Sequence, residues 1–166
     1  MAKGKLLIIV VAGAVLTLAV PVLATQSGKA ANFSQKQVER GRYLVRIAGC
    51  NDCHTTDYAM QGGEIPESLW LTGDSLGWRG PWGTTYPINI RLFMVNTSQE
   101  QWLKLARTQR ARPPMPWYAL QGMTESDLRA IYAYIRHLGP SGEAAPSFLP
   151  PGEEPKTPYV LYPRTQ

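Results

Sequence analysis

Residues 50–54 read Cys50-Asn51-Asp52-Cys53-His54, and both cysteines of the 166-residue chain fall inside this pentapeptide. Two thiols at this spacing can add across the two vinyl groups of one haem and form thioether links. The next residue, on the same turn, then points an imidazole at the iron, so the pattern reads as a c-type haem attachment signal. Two rival readings are weaker. A dithiol redox motif sits beside a βαβ pattern, whereas this one ends a helical segment. A zinc site draws on about four ligands, and the chain offers two cysteines and two histidines, with His54 directly after Cys53. A single pair of cysteines also excludes a disulfide-stapled scaffold.

Upstream, residues 34–49 read as a helix. Ser34 and Gln37 make a capping box, and Val38, Gly41, Val45 and Ala48 recur at helical spacing. A glycine inside that helix predicts that another element crosses closely at Gly41. Downstream, Ser98 and Gln101 open a helix over 98–108, with Trp102, Leu105 and Ala106 on one face. A third spans about 125–138: Thr124 and Asp127 cap it, Leu128, Ile131, Tyr132, Ile135 and Leu138 form its stripe, and Gly139-Pro140 stop it. No alternating run is long enough to demand a sheet. Residues 55–97 hold six glycines and three tryptophans (Trp70, Trp78, Trp82) without a clear period. So long an irregular stretch is explained by a large ligand to wrap.

If His54 binds iron on one face, the other face needs a ligand. Met60 is only six residues away, Met94 lies in the apolar run Leu92-Phe93-Met94-Val95, Met123 opens the last helix, and His137 is near a helix C-terminus. Met115 stands in Pro113-Pro114-Met115-Pro116-Trp117, where three prolines stiffen the loop before folding. Less entropy is then lost when a weak thioether–iron bond forms. Trp117 beside it can cover the haem edge.

Hydrophobic residues make up 44% of the chain and charged residues 17%, which excludes wholesale disorder. A mean hydropathy of -0.21 excludes a polytopic membrane protein. Residues 1–24 read as a signal peptide: Lys3 and Lys5 precede an uncharged run over 6–20, and the cut is expected after Ala24. The alternative is an uncleaved membrane anchor, since Leu6 to Ala24 approaches the ~20 residues that span a bilayer. Either way the rest is exported. Loss of the two lysines lowers the formal charge of +5 to +3, and two haem propionates lower it further, so nucleic acid is a poor explanation of the charge. Residues 140–166 carry 7 of the 14 prolines and read as an extended tail. Its apolar residues, among them Phe148, Leu149 and Tyr159 to Tyr162, suit packing along the domain or a partner.

Over residues 34–139 the chain resembles the class I (mitochondrial-type) cytochrome c family, specifically its small bacterial monohaem members. The resemblance rests on the first helix with Gly41 and Tyr43, the Cys50–His54 motif, Met115-Pro116-Trp117, and the closing helix from Asp127. It implies an all-α fold wrapped around one covalent haem c held by Cys50 and Cys53, with the first and last helices crossing at Gly41, Tyr132 and Tyr134. His54 and Met115 are then the axial ligands, the His54 ring N–H being held by a carbonyl near Gly80-Pro81 or Tyr86-Pro87. The segment from Tyr86 to Ile90 looks like a haem-lining strand of dehydrogenase-associated cytochromes. Trp82, Tyr86, Asn89 and Trp117 are the haem-lining candidates.

The expected function is a periplasmic one-electron carrier between respiratory or dehydrogenase partners, such as a dehydrogenase and a terminal oxidase. Lys36, Arg40, Arg42 and Arg46 on the first helix, and Lys104, Arg107, Arg110 and Arg112 before the methionine loop, are candidates for docking an acidic partner. Two alternatives remain open: a subunit fixed within a dehydrogenase or oxidase complex, and a haem enzyme or gas sensor with an open sixth site.

Overall fold

The protein is described by a computed structural model covering residues 33–162 together with Met1. The expected export segment therefore lies, apart from Met1, outside the described residues. No helix among the described residues is long and apolar enough to cross a membrane.

The first helix, α1 (Gln35–Ile47), starts where its capping box is made in both directions, Gln37 N–H donating to Ser34 Oγ and Ser34 N–H to Gln37 Oε1. It stops two residues short of the expected end. Gly49, at φ 68°, turns the chain into α2 (Cys50–His54), so the cysteines ride on a separate short helix. A 3-10 turn at Glu67–Leu69 leads to a hairpin of β1 (Gly77–Gly80) and β2 (Gly83–Thr85). Four helices follow: α3 (Ile90–Phe93), α4 (Gln99–Thr108), α5 (Trp117–Gly122) and α6 (Glu125–Leu138). The tail adds β3 (Tyr159–Leu161).

α1 and α6 cross at Gly41. A Cβ there would lie 2.0 Å from the Ala130 carbonyl oxygen and 2.6 Å from Tyr134 Cβ, so only a bare backbone fits. Tyr134 is among the atoms nearest this point, and Tyr132 packs beside the start of α1. Its ring stacks edge-on against Phe33 at 5.9 Å and its hydroxyl donates to the Thr97 carbonyl. Leu128, Ile131 and Ile135 recur at helical spacing on α6 and are almost fully buried. α4 leans on the same helix, with Trp102 Nε1–H donating to the Leu128 carbonyl at 2.8 Å. At the far end, buried Arg91 donates to the Leu138 and Gly139 carbonyls and to that of Ser68, satisfying acceptors that a helix C-terminus leaves open.

The architecture is mostly helical, with a small sheet ordered β2-β1-β3 that the sequence pattern did not demand. Its strands are three or four residues long, too short for alternation to register. β1 pairs antiparallel with β2 and parallel with β3, Gly77 opposite Tyr159 and Arg79 opposite Leu161. The tail is bound before it reaches the sheet. Leu149 exchanges two backbone hydrogen bonds with Thr84, at 2.8 and 3.0 Å. Gly83, at φ 105°, allows that approach: a Cβ would stand 2.1 Å from the Leu149 oxygen. Arg79 Nη2 donates to Glu154 Oε1 at 2.6 Å.

Candidate functional site

A cavity of about 620 Å³ opens inside the helical shell. Val45, Leu71, Trp102, Leu120, Ile131 and Ile135 line it and also belong to the hydrophobic core, so the core is built around the space. Cys50, Cys53 and His54 lie on the wall that α2 supplies. Pro114, Met115 and Pro116 line it from the loop before α5, and Tyr86 from the stretch after β2.

Several contacts hold α2 in place. Buried Thr55 Oγ1 donates to Asn51 Oδ1 and accepts the Leu71 N–H, both at 2.8 Å. The His54 carbonyl accepts the Gly73 N–H. His54 Nδ1 is 2.8 Å from the Ile88 carbonyl, which requires the proton on Nδ1 and leaves Nε2 as the free electron-pair donor. The carbonyl is that of Ile88, directly after Tyr86-Pro87, the second of the two expected places. The backbone at 87–89 also lies close against Gly73, where a Cβ would stand 2.8 Å from Asn89 N and 3.0 Å from the Pro87 oxygen.

Burial sets the protonation of the site. It lowers the basicity of His54, partly offset by the Ile88 carbonyl, and so keeps the imidazole neutral. The Cys50 thiol is pushed up to about 11 by burial, with the Asp52 charge adding to it, and Cys53 is raised for the same reasons. Reactive dithiols need the opposite, a depressed thiol pKa that supplies thiolate at neutral pH.

The family model described as Cytochrome c matches residues 38–139, well over half of the chain. The chain belongs to the cytochrome c family. The cytochrome c subunit of a quinone alcohol dehydrogenase from Gluconobacter oxydans (strain 621H) is 26% identical over 134 residues, covering 74% of this chain and 26% of that subunit. The chain thus spans about a quarter of that relative's length. No solved structure matches it.

A cytochrome c domain implies covalent haem c, and the cavity fits that group. Its volume lies within the ~300–1,000 Å³ usual for cofactor sites, and its walls are mainly apolar. Thr85, on the wall, has a buried Oγ1 without a partner, an orphan that a polar ligand edge would satisfy.

Not every candidate residue lies on the cavity wall. Trp82 stands at the β1–β2 turn beside Tyr162, its ring kept there by the tail, and its Nε1 is buried without a partner. Trp117 opens α5 beneath the Arg110 guanidinium, 4.1 Å from the ring centre, while Ala119 and Leu120 line the cavity instead. Asn89 is buried but caps α3 and binds the tail. Tyr86 does line the cavity, and its hydroxyl accepts from Thr157 Oγ1. Beyond Met1, Met60 is exposed and Met94 is buried in the core, whereas Met115 and Met123 both line the cavity.

The tail contributes a wall that the sequence pattern did not assign: Ala145, Pro146, Ser147 and Phe148 line the cavity. The Arg112 guanidinium covers Phe148 at 3.7 Å. The one available signal was the apolar Phe148-Leu149 pair inside a proline-rich run. Of the basic candidates, Arg40 is paired with Asp127 and Arg42 with Glu67, while Arg112 stands on the cavity wall.

Proposed function

We propose that the chain is an exported, periplasmic one-electron carrier holding a single haem c through Cys50 and Cys53, with His54 and Met115 as axial ligands. The observation that carries this reading is one apolar cavity lined by both thiols, a neutral histidine and a proline-held methionine. When bound, haem supplies a one-electron iron couple. The chain's own residues supply the rest. Ile88 orients the His54 ring, the prolines around Met115 limit its motion, and Leu71, Trp102 and Ile131 exclude water. A haem held by both His54 and Met115 would have no position open to a substrate, which favours electron transfer over catalysis. Exposed Ile88 and Phe93 on the wall, with Arg112 beside Phe148, suit docking of an acidic redox partner. Arg40 and Arg42 are committed to internal pairs and contribute less to such docking.

A second reading is a subunit held within a dehydrogenase complex, favoured by the likeness to a dehydrogenase's cytochrome c subunit. Co-purification from native membranes separates it from a diffusing carrier. The ligation is tested with carbon monoxide. The reduced wild-type protein and Met123→Ala are expected to stay unchanged in spectrum, while Met115→Ala binds carbon monoxide and its potential falls. Rapid binding by the wild type refutes permanent methionine ligation, and binding by Met123→Ala alone moves the ligand to Met123.

A further inference from the structure

The buried Asn89 side chain uses both amide donors on one part of the chain and its carbonyl oxygen on another. Its Oδ1 accepts the Leu92 N–H at 3.0 Å and caps α3. Its Nδ2 donates to the carbonyls of Ser141 and Glu143, at 2.8 and 3.0 Å, where the tail leaves α6. The tail passes directly over it. A Cβ on Gly142 would lie 3.3 Å from Asn89 Nδ2 and 3.2 Å from Thr72 Cβ. The same tail then lines the cavity at 145–148 and locks onto Thr84 at Leu149.

Asn89 N and the Ile88 carbonyl belong to one peptide plane, and that carbonyl holds His54 Nδ1. A planar peptide turns as a unit, so whatever fixes Asn89 fixes the direction of the acceptor that sets the imidazole. We infer that Asn89 is a positioning residue through which docking of the tail over 141–149 governs the orientation of His54 toward the haem. The inference rests on the haem reading above. The tail is then a structural part of the site on two counts, as a wall of the cavity and as the tether of a ligand's hydrogen-bond partner.

Two full-length variants test this from opposite ends. Asn89→Asp keeps an acceptor for the Leu92 N–H but sets an oxygen against the Ser141 and Glu143 carbonyls. Gly142→Val leaves Asn89 intact and crowds the tail away from it; at φ 73° valine is also strained there. Hydrogen exchange of the Leu149 amide, bonded to Thr84, reports tail docking without reference to iron, and about a tenfold acceleration is expected in each variant. The spread of the haem-methyl proton resonances in the oxidised protein reports the imidazole plane. Both variants are expected to shift it in the same direction, and the double variant to shift it no further than the larger single. A freed tail with an unchanged spread overturns the coupling, and a tail still protected in Asn89→Asp overturns the tether. A wild-type chain whose mass carries no haem refutes the functional reading instead.

Discussion

Substituting alanine at Gly41 probes the contact on which the helical shell depends. The added Cβ would sit 2.0 Å from the Ala130 oxygen, where 3.4 Å or more is ordinary contact. The obstacle is backbone, so α1 and α6 must part by more than an ångström. Parting loosens the seam that buries Val45, Ile131 and Tyr134. Overpacking of this kind costs about 3 kcal/mol, and the better helix propensity of alanine returns about 1 kcal/mol. The net loss is about 2 kcal/mol. In guanidinium titrations followed by far-ultraviolet circular dichroism, with a slope of about 4 kcal/mol/M, the midpoint falls by roughly 0.5 M. Gly122→Ala is the control, since nothing lies within 4 Å of a Cβ there. It gains propensity without a clash and leaves the midpoint unchanged or slightly higher. A Gly41→Ala midpoint at or above that of the wild type refutes a bare-backbone crossing.

Arg91→Ala strips donors from three carbonyls and is expected to destabilise the fold by about 3–5 kcal/mol, read in the same titration; Arg91→Lys should recover less than half, because one ammonium cannot span all three acceptors. Asp127 is held below the ordinary aspartate value of 3.8 by the Arg40 hydrogen bond and then by Thr124. A depressed carboxyl stabilises the folded state above its unfolded pKa, and that contribution is lost as pH falls below 3.8 through the folded value. Asp127→Asn should therefore narrow its stability gap to wild type on acidification through this window, and a gap that widens refutes the pairing.

The parts of the fold that were legible in sequence are those whose signals are local. Ser34 with Gln37, Ser98 with Gln101, and Thr124 with Asp127 each satisfy open amides within one turn, so each helix start can be read from a few residues. Gly41 announced a crossing because a glycine in that position has a steric cause. Which residues meet it depends on the rotation of a distant helix, and the atoms nearest Gly41 come from Ala130 as well as from the expected Tyr134. The Cys50–His54 motif is covalent chemistry written in adjacent residues, whereas the cavity wall is assembled from segments far apart in sequence. Asn89 is instructive here. Its identity marks it as a polar group needing partners, but the choice between a cofactor and two tail carbonyls is made only when Ser141 and Glu143 arrive in space. The sheet escaped notice for a similar reason, since β1 takes a partner about eighty residues later.

That parallel pairing also imposes an order in time. A chain emerges from its N-terminus, and contacts between remote segments form late because a long loop must first be closed. β1 has no β3 beside it until about eighty further residues have been delivered, and Leu149 must arrive before Thr84 has a partner. Throughout that interval Cys50 and Cys53 lack the wall contributed by residues 145–148. Residues 145–149 thus act as a door, since the wall they supply closes only after the segments that carry the cysteines, the histidine and the methionine are already in place.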